Sequence, residues 1–216
     1  MTYGNEGAAR ALSSSPLKVA VFASGNGSNF QALAEAVRAG RIRAEIDLVV
    51  CDKPSAYVLE RARSLGVDTY VFAPRDYASR EAYEAEIVRE LQRRGIGLVV
   101  MAGYMRLVTS TLIEPYDGRI INIHPALLPA FPGVDGIGQA IRYGVKVAGA
   151  TVHFVDGGMD TGPIIAQQAV EVLDDDTPET LGAKIHRAEY ELLPRVVGWI
   201  AGGKVRLDGR KVTITN

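Results

Sequence analysis

The sequence predicts an α/β fold, a doubly wound and mostly parallel sheet within a single domain. Short, nearly continuous apolar runs alternate with stretches of helical periodicity as far as residue 102, and a strand buried on both faces has the look of such a run. A turn rich in glycine and asparagine, Ser24-Gly25-Asn26-Gly27-Ser28-Asn29, joins the first run to the first helical stripe. After residue 120 the alternation stops, and three strand-like runs with one short helix among them predict a mixed extension of the same sheet.

In order, Lys18 to Ala23 is the first strand, and Phe30, Leu33, Ala34 and Val37 then repeat at helical spacing before Gly40 stops the helix. Ile46 to Cys51 is the second strand, Ala56 to Leu65 a helix closed by Gly66, and Asp68 to Phe72 a short third strand. Ser79 to Arg94 carries Tyr83, Ile87, Val88 and Leu91 on one stripe, and Leu98 to Ala102 is a further buried strand. Alternation of this kind implies parallel strands with ligands at their carboxyl ends. Arg119 to His124, Ala148 to Val155 and Ile164 to Val172 are the later strands, with Gly136 to Tyr143 helical between them. Thr177-Pro178 then opens a long helix as N-cap and first-turn proline, with Leu181, Ile185, Ala188, Leu192, Val196 and Trp199 as its buried stripe. Lys204 to Thr215 is expected to form a hairpin around Asp208-Gly209. Residues 1 to 16, rich in Gly, Ala and Ser, are expected to be a flexible tail ahead of a domain from 17 to 216.

Composition narrows the function classes. With 216 residues, 47% of them hydrophobic, there is enough apolar content for one sizeable core. A net charge of −1 provides no electrostatic footprint for nucleic acid or an anionic membrane, which favours small-molecule partners. One cysteine, Cys51, rules out an intrachain disulfide framework. No run approaches the roughly 18 apolar residues of a membrane span, and the start lacks the pattern of a signal peptide. A cytoplasmic location is expected. Oligomeric state stays open, a homodimer included.

Two stretches carry chemistry. The turn from Ser24 to Asn29 precedes a helix, where free backbone N–H groups and the helix dipole suit a phosphate. It has neither Gly-x-Gly-x-x-Gly nor Gly-Lys-Ser/Thr, so it fits a phosphomonoester on a sugar better than a pyrophosphate. The second stretch is Ile121-Asn122-Ile123-His124-Pro125. Proline ends the strand, and period-two geometry points Asn122 and His124 the same way. An amide can donate to a developing oxyanion, an imidazole can move a proton, and a carboxylate such as Asp160 would favour the charged imidazole. These are parts for acyl transfer, whereas His153, inside an alternating strand, is expected to be structural.

Together with Ala102-Gly103-Tyr104-Met105-Arg106, Asn122-Ile123-His124-Pro125-Ala126-Leu127-Leu128-Pro129, Val152-His153-Phe154-Val155 and Asp160-Thr161-Gly162-Pro163, the glycine-rich turn resembles the phosphoribosylglycinamide formyltransferase family, in order and at compatible spacing from about Lys18 to Trp199. The resemblance implies a Rossmann-like formyltransferase fold and transfer of a formyl group from 10-formyltetrahydrofolate, the co-substrate, to the amine of a glycinamide ribosyl phosphate, with no metal required. Asn122, His124 and Asp160 would be catalytic. Gly27, Ser28 and Asn29 resemble the substrate-phosphate loop, Glu189 resembles the carboxylate that accepts the ribose hydroxyls, and His186, one turn earlier, could approach the phosphate. For the folate, Met105, Arg106, Leu107 and Val108 resemble the loop whose backbone binds the pterin, and Arg80 resembles a basic residue near the folate tail. The loop from Asp156 to Asp160 would close over the pterin.

One departure stands out. Relatives often place a histidine about where this chain has Ile137, so any accessory role of that histidine is absent, and the stretch from Gly133 to Gly138 is expected to be mobile. The same Asn, His and Asp would also serve a formyltetrahydrofolate hydrolase, or a formyltransferase acting on initiator transfer RNA. Relatives of these kinds carry an added amino-terminal or carboxyl-terminal domain, and the expected flanks here are short. A nucleotide-binding Rossmann-type module is a third reading, sustained by Asp52 at the end of the second strand.

Overall fold

The structure is a computed structural model that describes residues 15–215. Of the expected tail, residues 1–14 lie outside the described residues. The chain runs β1 (Leu17–Phe22), α1 (Ser28–Arg38), β2 (Ala44–Cys51), α2 (Val58–Leu65), β3 (Asp68–Val71), α3 (Arg80–Arg94) and β4 (Leu98–Ala102). It continues through a short α4 (Ser110–Ile113), β5 (Ile120–His124), α5 (Gly136–Tyr143), β6 (Val147–Phe154), β7 (Ile164–Glu171), α6 (Pro178–Ala201) and a hairpin of β8 (Val205–Asp208) and β9 (Lys211–Ile214).

The seven-stranded sheet has the order β3-β2-β1-β4-β5-β6-β7. Strands β3 through β5 are parallel, and β6 runs antiparallel to both β5 and β7. The expected mixed extension is therefore present, and the order turns outward in both directions from β1 and β4, the doubly wound arrangement. Capping fixes several helix starts: the Ser79 side chain accepts from Ala82 N at α3, and Thr177 accepts from Thr180 N at α6 with Pro178 next. The sequence reading missed α4 and two 3-10 turns, Pro74–Asp76 and Glu114–Tyr116. Each is too short to carry a stripe.

Two layers cover the sheet. Phe30 and Leu33 of α1 and Leu181, Ile185 and Leu192 of α6 pack on one face with Val19, Val21, Val100, Ile121, Ile123 and Val152. Tyr83, Ile87 and Leu91 of α3 cover the other with Ala20, Phe22, Val99 and Ile120. Because Ile121 and Ile123 are held by the α1–α6 layer, Asn122 and His124 must project to the opposite side. The antiparallel register sets His153 directly across from Asn122. On its outer side β6 is less regular, since the pairing to β7 jumps from Val152↔Ala166 to His153↔Ile164 and leaves Ile165 as an extra residue.

Candidate active site

A cavity of about 500 Å³ opens where the ends of β1, β4 and β5 meet the loops that follow β5 and β6. Gly27, Ser28, Asn29, Met105, Arg106, Leu107, Val108, Asn122, His124, Asp156, Asp160, His186 and Glu189 all line it. Arg80 does not. It sits exposed on the first turn of α3 and is not one of the lining residues.

At one end is the glycine-rich loop. Gly27 is the N-cap of α1 with φ of 75° and no side-chain cap, so the first N–H groups of the helix face the cavity end unmasked. A Cβ on Gly27 would lie 2.5 Å from Val58 Cγ2, so glycine is required both for the left-handed backbone and for the close approach to α2. Beside the loop, buried Glu189 accepts from Asn29 Nδ2 at 3.0 Å and pairs with His186 Nδ1 at 2.8 Å. That hydrogen bond holds the His186 imidazolium, so its pKa is raised above the ordinary 6.5 even though burial opposes it.

At the centre, His124 and Asp160 are 3.5 Å apart, Nδ1 to Oδ2, with the imidazole buried. His124 Nε2 lies 2.8 Å from the Phe131 carbonyl, which can only accept, so both ring nitrogens face acceptors. Asp160 Oδ2 also accepts from Gly133 N at 2.7 Å, and its Oδ1 lies 3.4 Å from Asn122 Nδ2 and 3.6 Å from His153 Nε2. Burial alone would raise the Asp160 carboxyl. The His153 hydrogen bond, the Gly133 N–H and the nearby imidazoles outweigh it and hold the pKa below 3.8. Asp160 itself adopts φ of 55°, a strained backbone that its ring of partners enforces.

His153 is hydrogen-bonded, as expected, but its partners make it a member of the site as well. Its Nδ1 is 2.7 Å from the Phe154 carbonyl and its Nε2 3.2 Å from Asn122 Nδ2. Sequence reasoning could have found it only from strand register, since β5 and β6 had to be aligned to place it opposite Asn122.

The loop after β4 is tied down along its length. Ser24 N donates to Gly103 O, Ser24 Oγ accepts from Met105 N at 3.0 Å, and buried Asp52 accepts from Arg106 Nε at 2.6 Å. Buried Glu84 accepts from both N and Oγ1 of Thr109, and its burial pushes its carboxyl pKa up. Asp52 is thus engaged with Arg106, which removes the basis of the nucleotide-binding reading. Met105, Leu107, Val134 and Met159 stay exposed around this part of the cavity, and such a contiguous apolar rim fits a flat organic ligand. Asp156 is turned into its own loop, accepting from Gly158 N and Thr161 Oγ1. The stretch from Gly133 to Gly138, expected to be mobile, bonds to Asp160 and opens α5, with the Asp135 side chain accepting from Gly138 N. Ile137 packs against the core beside α6.

Among the described residues, no group of three or more His, Cys, Asp or Glu side chains is arranged to hold a metal ion, and no helix is long and apolar enough to cross a membrane.

Residues 17–197 match the formyl transferase family. The chain is 51% identical to the phosphoribosylglycinamide formyltransferase of Bacillus subtilis over 86% of this chain and 95% of the relative. It superposes on the glycinamide ribonucleotide transformylase 1 of Symbiobacterium toebii with a TM-score of 0.91 at 45% identity, covering 93% and 95% of the two chains. The corresponding Geobacillus kaustophilus structure matches with a TM-score of 0.84 at 52% identity, covering 86% and 98%. By sequence and by fold, this chain belongs to the phosphoribosylglycinamide formyltransferases of the formyl transferase family.

Proposed function

We propose that the cavity catalyses formyl transfer from 10-formyltetrahydrofolate to the amine of 5'-phosphoribosylglycinamide, a step of purine biosynthesis. One observation carries the reading: a single cavity holds an anion-binding loop at one end, an apolar rim at the other, and Asn122, His124 and Asp160 between them. The two substrates then meet at the three polar groups, which converts a bimolecular encounter into an oriented attack.

The substrate amine attacks the formyl carbon, and the carbonyl electrons move onto oxygen. Asn122 Nδ2, whose hydrogen bond to Asp160 Oδ1 is long at 3.4 Å, is the donor that would turn toward that oxyanion. His124, whose Nδ1 lies 3.5 Å from Asp160 Oδ2, stabilises the same charge and supplies a proton. The tetrahedral adduct collapses as the C–N bond to the folate breaks, the folate nitrogen leaves with the proton that His124 supplied, and the proton given up by the attacking amine returns to the His124 ring, restoring its starting state. Formylated product and tetrahydrofolate result. Charge stabilisation comes from side chains, so the proposal asks nothing of a metal ion.

Gly27, Ser28 and Asn29 would take the phosphate, with His186 beside it and Glu189 accepting from the ribose hydroxyls. Met105 to Val108 and the loop from Asp156 to Asp160 would hold the pterin. Arg80 remains a candidate for the folate tail only if that tail extends past the cavity. Small molecules as partners and a cytoplasmic location belong to the same reading, which the net charge of −1 supports. The test is to supply both substrates and follow tetrahydrofolate formation. Turnover that depends on the ribosyl acceptor supports the proposal, and folded protein without it overturns the proposal.

A further inference from the structure

The loop that would receive the phosphate is shaped from behind by the first turn of α2. Val58 N donates to Gly25 O at 3.1 Å, and Gly27 is pressed against the Val58 side chain. Between these contacts lies Asn26, and Arg61 takes it on one edge of its guanidinium: Nε donates to Asn26 O at 2.9 Å and Nη2 to Asn26 Oδ1 at 3.0 Å. The guanidinium is also laid over the Tyr57 ring at 4.9 Å, which fixes its plane. A fork of this kind holds a main-chain bend more rigidly than a single bond.

Charge adds to geometry. The cavity lining contains one arginine and no lysine, and that arginine, Arg106, is paired with Asp52. The loop end of the lining has Glu189 as its anion and His186 as its titratable cation. A dianionic phosphate placed there would meet little other positive charge, and Arg61, bonded directly to Asn26, adds a permanent charge to the network that shapes the loop.

We propose that Arg61 is a positioning residue for the sugar-phosphate subsite, holding Asn26 so that the N–H groups from Gly27 to Asn29 converge and adding charge behind them. This deepens the function proposed above and rests on it. The role acts on one substrate only, which a merely structural arginine would not do. In Arg61→Ala the KM for 5'-phosphoribosylglycinamide should rise about ten- to a hundredfold, while the KM for 10-formyltetrahydrofolate and kcat at saturation stay within about twofold. Arg61→Lys, with charge but no fork, should fall between wild type and Arg61→Ala.

A second measurement separates failure of this proposal from failure of the assigned reaction. Calorimetric titration with ribose 5-phosphate, and with inorganic phosphate, needs no turnover. Weaker binding of both by Arg61→Ala supports the role even if wild-type protein transfers no formyl group. Binding of ribose 5-phosphate within twofold of wild type overturns it, as does a loss of folate affinity equal to the loss for the sugar phosphate. If Arg61→Ala fails to fold, Arg61→Lys and Arg61→Gln put the same question, and sugar-phosphate binding unchanged in both overturns the proposal.

Discussion

Asn122 Nδ2 lies 3.2 Å from Nε2 of His153, directly across the pairing of β5 with β6. The other nitrogen, Nδ1, lies 2.7 Å from the Phe154 carbonyl, so the ring is held at both of its nitrogens. The imidazole thereby orients the Asn122 amide, leaving its second N–H toward Asp160 and the reacting centre.

His153→Phe should therefore misorient Asn122. One lost orienting hydrogen bond is worth about 1 to 1.5 kcal/mol, which corresponds to roughly a tenfold fall in kcat. Steady-state rates at saturating substrates, with thermal melts to establish folding, provide the check. An unchanged kcat would free Asn122 from this dependence.

His124→Ala and Asp160→Asn should each lower turnover by about a hundredfold or more, the scale of a lost general acid or electrostatic partner. Asp160 also holds Gly133 N, so the asparagine variant, which keeps an oxygen there, separates charge from loop anchoring. Asp160→Asn with a wild-type rate and pH profile would remove Asp160 from the mechanism.

His186 supplies a pH dependence. Its folded pKa is raised above 6.5 by Glu189, so the contribution of its charge is fully present below 6.5 and is lost as pH rises through the folded value. The KM for the ribosyl phosphate should increase across that window, and His186→Gln should flatten the increase. Asp160 has the opposite sign: its lowered pKa makes its contribution to stability present above 3.8 and lost as pH falls through the folded value. Melting wild type and Asp160→Asn side by side below pH 4 should show the gap between them closing.

Gly27→Ala and Gly40→Ala form a matched pair. Both glycines are left-handed, but a Cβ on Gly40 meets nothing within 4 Å. Gly40→Ala should cost about 1 to 2 kcal/mol for the backbone alone. Gly27→Ala adds an overpacking cost of about 1 to 3 kcal/mol against Val58 and should also weaken phosphate binding. Chemical denaturation and phosphate titration check both, and equal stability losses would mean that Val58 gives way.

The sequence revealed what depends on side-chain type and spacing. Thr177-Pro178 marked the start of α6, alternation marked the parallel strands, and Asn122 and His124 shared a face because Ile121 and Ile123 shared the other. It did not reveal what depends on backbone groups or on register. The Phe131 carbonyl on His124 and the Gly133 N–H on Asp160 belong to no residue type. His153 shows as part of the site only in the register of β6 against β5, and Asp52, which in sequence sustains a nucleotide-binding reading, is engaged by Arg106. Arg80 and Arg61 are both helix arginines in sequence, and only the fold shows that Arg61 is bonded to the glycine-rich loop and that Arg80 is not among the residues lining the cavity.

The extra residue Ile165 gives the sheet a joint between its working part and its margin. Pairing of β6 with β5 is regular where Asn122 meets His153, and the mismatch is taken up on the other side of β6. Over evolutionary time the outer strand and the hairpin beyond it can lengthen, drift or accept a fused neighbour, while the amide and the imidazole stay face to face.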